Sequence, residues 1–151
     1  MADETTVLVP IRYPLTEQST RTLSAAVRLA RDHEPVDLTV LHIDLHQKGT
    51  TTRKREMRQA VSSTVDGINA SVMIRQGYLV EEEILEEAEQ LDADIVVVGA
   101  NQQATWKKIL SRLLRNDPKI GLFLRENATT DTKIMEVDRD DRGRDSPTAA
   151  Q

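Results

Sequence analysis

Cysteine is absent from this 151-residue chain, which excludes disulfides and thiolate-ligated metals and makes an intracellular, cytoplasmic setting the expectation. Aromatic residues are scarce, with one tryptophan, two tyrosines and one phenylalanine. No apolar run approaches the ~20 residues that a membrane-spanning helix needs. The opening Met-Ala-Asp-Glu-Thr-Thr has neither the basic start nor the apolar centre of a secretion signal. Basic excess is lacking too. The formal charge is −5, with 20 lysines and arginines against 25 aspartates and glutamates. That balance argues against a general nucleic-acid binder. Among the cations, arginine outnumbers lysine 14 to 6, and acidity with little lysine is compatible with a salt-adapted cytoplasm.

What is present is an alternation of strand and helix patterns. Thr5–Ile11 reads as a strand, with Pro10 near its end where a ladder donor can be spared. Thr16 to about His33 carries Leu23, Ala26, Val27 and Ala30 at helical spacing, with Thr16 or Ser19 as cap and Pro35 as stop. Val36–Asp44 is a second strand, Arg53–Val65 a polar helix, and Ile68–Gln76 a third strand closed by Gly77. Val80–Leu91 is a third helix, its Glu81, Glu82 and Glu83 favouring the N-terminal dipole as a solvated first turn. Asp94–Val98 reads as a fourth strand. Ile95-Val96-Val97-Val98 runs without polar alternation into Gly99, the pattern of a strand buried on both faces in a parallel sheet.

Ala104–Arg115 follows as a helix with Trp106, Ile109, Leu110, Leu113 and Leu114 as its apolar stripe. Asn116-Asp117-Pro118 then starts another helix, with Asp117 as N-cap. Its consecutive Leu122, Phe123 and Leu124 exceed one narrow helical face, so at least one is expected against a partner or a neighbouring element. Thr132–Val137 reads as a fifth strand, and Asp138–Gln151 lacks apolar periodicity and is expected to be a disordered charged tail. The expected fold is a three-layer, doubly wound α/β domain over residues 1–137, built on five mainly parallel strands.

The order of Val7-Leu8-Val9-Pro10-Ile11, Leu38-Thr39-Val40-Leu41-His42-Ile43, Gly77 before Val80-Glu81-Glu82-Glu83-Ile84-Leu85, and Ala93-Asp94-Ile95-Val96-Val97-Val98-Gly99 resembles the universal stress protein family over residues 5–137. Ser111-Arg112-Leu113-Leu114 falls where similar residues occur. The resemblance implies that family's adenine-nucleotide-hydrolase-like fold and a nucleotide crevice touching Arg12, Val40, Gly99, Asn101, Gln102, Asn116 and Asp117. It also implies a homodimer joined along an edge strand, here Thr132–Val137.

ATP-binding members of that family carry an aspartate after the first strand, a Gly-x-x-Gly loop, and a later Gly-Ser or Gly-Thr. Here Arg12 stands at the aspartate's place, Gln102 replaces the second glycine, and Asn116-Asp117 replaces the last pair. A guanidinium is donor-only and cannot accept from an adenine amino group. Gln102 puts a side chain where bare backbone would approach phosphate, and Asp117 fills a helix N-terminus with its own carboxylate.

The leading expectation is therefore a stress-protein-like binding or regulatory domain, homodimeric, without ATP as cofactor and without enzymatic turnover. One alternative is nucleotide binding, at most a slow ATPase, in an altered mode through Gly99, Asn101, Lys107 and Arg12. Another is a sensor of an anion or small metabolite using the same crevice and Arg12. Plainer structural readings stand beside these. Gly99 also suits the turn ending a strand, and Arg12 an ion pair with Asp44 or Asp117. Lys107, Lys108, Arg112 and Arg115 suit a solvated face, and Trp106 the core. His42, inside an apolar run, is expected to be a satisfied core histidine, and no histidine spacing resembles a metal site.

Overall fold

The computed structural model describes residues 4–33, 35–99, 107, 111, 120–126 and 132–139, the last two stretches by their backbone apart from the Ile134 side chain. Four strands, β1 (Thr5–Pro10), β2 (Val36–Leu45), β3 (Ala70–Gly77) and β4 (Ile95–Gly99), lie parallel. The helices α1 (Glu17–Asp32), α2 (Lys54–Val61) and α3 (Val80–Leu91) accompany them. Two further strands, β5 (Ile120–Glu126) and β6 (Thr132–Arg139), complete a sheet of order β3-β2-β1-β4-β6-β5. Among the described residues no helix is long and apolar enough to cross a membrane.

Strands in the middle of such a sheet have no solvent face, and the sequence meets that demand with unbroken apolar runs. Val7, Leu8 and Val9 of β1 and Val96, Val97 and Val98 of β4 are fully buried. Val7 and Val9 pack with Leu38, Val40 and Val97 beneath Leu23 and Ala26 of α1 and Met57 of α2. Leu8, Leu41, Val96 and Val98 form the opposite core with Ile84 and Leu85 of α3. Helices thus cover both faces of the parallel part, as the alternating pattern required.

α1 begins where Thr16 accepts the Ser19 amide at 3.0 Å, a side-chain cap of the usual kind. α3 ends at Asp92, whose left-handed φ of 52° turns its amide back to the carbonyls of Ala88 and Glu89. A short aspartate tolerates that conformation better than a branched residue does.

Three expectations are corrected. The sheet has six strands rather than five, because Ile120–Glu126, read as part of a helix capped by Asp117, pairs antiparallel with β6. Consecutive apolar residues suit a strand, which offers two faces, better than a helix, which offers one stripe. Thr132–Val137 is not an edge strand: β6 lies between β4 and β5 and is paired on both sides. It has no free edge to offer a second copy, and the sheet's edges are β3 and β5. β6 also runs to Arg139, two residues into the segment expected as tail. Residues 140–151 and most of the helix expected over 104–115 lie outside the described residues, although Lys107 and Ser111 are both helical.

Gly99 closes β4 against α1. A β-carbon there would stand 2.7 Å from Gln18 Nε2 and 3.1 Å from Thr22 Oγ1. The Gln18 amide can swing aside, but Thr22 is held by its hydroxyl donating to the Gln18 carbonyl at 3.0 Å. We expect Gly99→Val to cost about 1–3 kcal/mol through overpacking, measured by urea unfolding, with ligand binding in the pocket described below unchanged.

Candidate functional site

Open α/β sheets receive ligands outside the carboxyl ends of their strands. In this chain a cavity of about 300 Å³ lies there, between the segments that leave β1 and β2. Pro10, Ile11, Arg12, Tyr13 and Pro14 form one wall, His42, Ile43, Asp44 and Leu45 the floor, and Lys48, Thr50 and Val80 the other side.

The first wall is fixed by α1. Ser19 Oγ accepts the Arg12 amide at 3.0 Å, which holds the main chain and leaves the Arg12 side chain exposed. The Tyr13–Pro14 peptide is cis. The opposite wall turns through a short 3₁₀ segment, His46–Lys48, closed by Gly49 at φ 66°. Glycine is suited to that conformation because it carries no β-carbon. The chain then returns to Asp44, which accepts the Thr52 amide through Oδ2 and the Thr52 hydroxyl through Oδ1, both at 2.7 Å.

His42 and Asp44, two apart on β2, share a face, and His42 Nε2 lies 2.9 Å from Asp44 Oδ1. The Tyr13 amide donates to His42 Nδ1 at 3.1 Å, so the neutral ring carries its hydrogen on Nε2 and donates it to Asp44. The Tyr13 ring meets the imidazole edge-on, centroids 6.2 Å apart. Burial pushes the Asp44 carboxyl up, but the two Thr52 bonds and His42 outweigh it and hold the group below the ordinary carboxylate range. Asp44 is thereby a committed anion that accepts three hydrogen bonds, from His42 and twice from Thr52.

The residues expected at the crevice divide. Arg12 lines the pocket. It does not pair with Asp44, whose oxygens are taken by His42 and Thr52, and Asp117 lies outside the described residues. Val40 is a core residue, fully buried and in register with Val9 and Val72. Gly99 packs on α1. Asn101, Gln102 and Asn116 also lie outside the described residues, and Lys107 is exposed. His42 is buried with both ring nitrogens hydrogen-bonded, the satisfied core histidine expected. Tyr13, Lys48 and Thr52 were not anticipated. The available signal was His42-x-Asp44, a donor and an acceptor on one strand face.

Outside this pocket, Arg75 of β3 gathers three carboxylates of α3. Its Nε meets Glu83 at 2.9 Å, one terminal nitrogen Glu87 at 2.9 Å, and the other Glu86 at 2.8 Å. Glu87 is almost wholly buried. Burial lowers the guanidinium's proton affinity, but the hydrogen bonds from Glu83 and Glu87 more than restore it, leaving the pKa raised. Glu83 folds back over Gly77, where a β-carbon would collide with its carboxylate. The glutamates read as a solvated first turn thus include one that fastens α3 to the sheet edge.

No family model matches this chain, and no characterised protein matches it in sequence. Among solved structures it is similar to a cytidylyltransferase from Leptospira borgpetersenii serovar Hardjo-bovis, at 12% identity and a TM-score of 0.43. The match covers 89% of this chain and 61% of that one, so the chain spans less than two thirds of that protein's length. A likeness this slight bears on neither family nor activity, and the reading of function rests on the pocket.

Proposed function

We propose that this chain is a binding domain of the universal stress protein type whose pocket takes a small organic anion in place of ATP. One observation carries the reading. Arg12 and Lys48 flank a cavity that is largely apolar inside, while its carboxylate, Asp44, is already engaged by His42 and Thr52. Among the described residues, neither Arg12 nor Lys48 has an ion-pair partner. Two exposed cations beside the apolar side chains of Ile11, Ile43, Leu45 and Val80 suit a ligand with a charged head and an apolar body.

Size supports the same reading. Ligand pockets run from about 300 to 1,000 Å³, and this one sits at the lower limit. Arg12 takes the place at which the family's ATP-binding members have an acceptor for adenine, and it is donor-only. Among the described residues, the pocket offers no nucleophile with a free base, since both nitrogens of His42 are engaged. We therefore read the domain as regulatory rather than catalytic.

Calorimetric titration with benzoate tests this. We expect Arg12→Ala and Lys48→Ala each to weaken benzoate about tenfold, the worth of one charge-assisted contact, without changing the unfolding midpoint. Benzoate affinity unaltered in both variants would sink the proposal.

A further inference from the structure

β3 borders the sheet, paired with β2 on one side and open on the other. The Leu38 amide donates to the Asn69 carbonyl at 2.9 Å, which sets the direction of each peptide group that follows. These groups alternate along a parallel strand, so Ser71, Met73 and Arg75 bond to β2. The amides and carbonyls of Val72, Ile74 and Gln76 point to the open edge. Natural sheets blunt such an edge with proline, lysine or a bulge. β3 has neither proline nor lysine and keeps an unbroken register from Ala70 to Gly77. Its single charge, Arg75, is turned onto α3.

The two faces beside this edge differ in charge. On one, Val72 packs with Met57 and Val61 of α2. α2 returns against the strand direction in a right-handed crossover. That handedness sets Lys54 and Arg58, which flank the buried Met57 and Val61, on the side of the open edge. Arg55 is exposed beside them, against the single acidic Glu56. Among the described residues none of these three cations has an ion-pair partner. On the other face Arg75 meets Glu83, Glu86 and Glu87, so one guanidinium faces three carboxylates, and the Glu86 side chain is 55% exposed.

A strand added to β3 sends alternate side chains to the two faces. We propose that the β3 edge binds an extended segment of a partner protein in which acidic and basic residues alternate, the acidic ones beside Lys54 and Arg58 and the basic ones beside Glu86. A second copy of this chain lacks that complement. Two β3 strands paired antiparallel about a twofold axis set α2 beside α2 and α3 beside α3, like charge against like. The proposal makes no use of the pocket.

The test is amide hydrogen exchange, read by NMR on the labelled full-length chain at low salt. The probe is a blocked octapeptide of alternating glutamate and lysine. In the free chain Val72, Ile74 and Gln76 should exchange faster than Met73 and Arg75, and saturating peptide should slow those three about tenfold. A peptide of the same composition with its glutamates and lysines in two blocks should bind about tenfold more weakly. The double variant Lys54→Glu, Arg58→Glu should weaken the alternating peptide by a similar factor, since two attractive cross-strand pairs become repulsive. Equal affinity for the two peptides, or an affinity unmoved in the variant, overturns the proposal. So does alternating peptide that leaves the exchange of Val72, Ile74 and Gln76 unchanged. Protection of those amides that grows with protein concentration in the absence of peptide would put a second copy on the edge, and overturns it too.

Discussion

Replacing Arg75 by methionine should lower the free energy of unfolding by about 3–5 kcal/mol, the usual cost of breaking a buried ion pair from one side. The guanidinium is the recorded counter-charge of Glu87, which is 2% exposed, and of Glu83 beside it. Methionine fills much the same space but leaves a buried carboxylate uncompensated, next to two others. Urea unfolding followed by circular dichroism gives the number. Adding Glu87→Leu to the same variant should recover most of the loss, because removing both charges together spares the desolvation that each one needs. If Arg75→Met cost less than about 1 kcal/mol, the cluster would be a solvated surface network of little worth.

The second large effect is expected from Asp44→Asn. The amide side chain would keep one acceptor for His42 and the Thr52 hydroxyl, but its nitrogen would face the Thr52 amide that Oδ2 now accepts at 2.7 Å. One buried donor left without an acceptor costs about 1–3 kcal/mol. The folded-state pKa of Asp44 is depressed, so its stabilising contribution is complete above the ordinary carboxylate range and is lost as pH falls through the lowered value. Wild type and Asp44→Asn should therefore differ at neutral pH and converge in acid. Unfolding curves at a series of pH values test this, and a difference that stays constant into acid would contradict it. Release of Thr52 also frees the turn bearing Lys48, so benzoate affinity should fall in the same variant.

The parallel half of the fold was legible because its signals are local and redundant. β1 and β4 are apolar without alternation, which only a strand covered on both faces allows, and α1 shows a cap, a stripe and a stop. The antiparallel half was not. Asp117-Pro118 is a sound helix-start signal, yet Ile120–Glu126 pairs with β6, and long-range strand pairing overrides local propensity. Insertion of β6 between β4 and β5 depends on strand order, which no spacing along the chain encodes.

The candidate site was half visible. Arg12 was readable from its place after the first strand. The ties His42 makes to Tyr13, and Asp44 to Thr52, join residues 29 and eight positions apart, contacts that a strand-by-strand reading leaves open. Arg75 went unnoticed for a related reason: Glu83, Glu86 and Glu87 lie on one side of a helix, but their common partner is on a strand.

Parallel NMR titrations of the labelled full-length chain with benzoate and with magnesium ATP test the central claim most directly. Benzoate is expected to shift the amides of Arg12, Tyr13, Ile43 and Lys48 while Gly99 stays still, and ATP at equal concentration to leave the same amides in place. Saturable shifts with ATP and none with benzoate would contradict the account and make the pocket a nucleotide site.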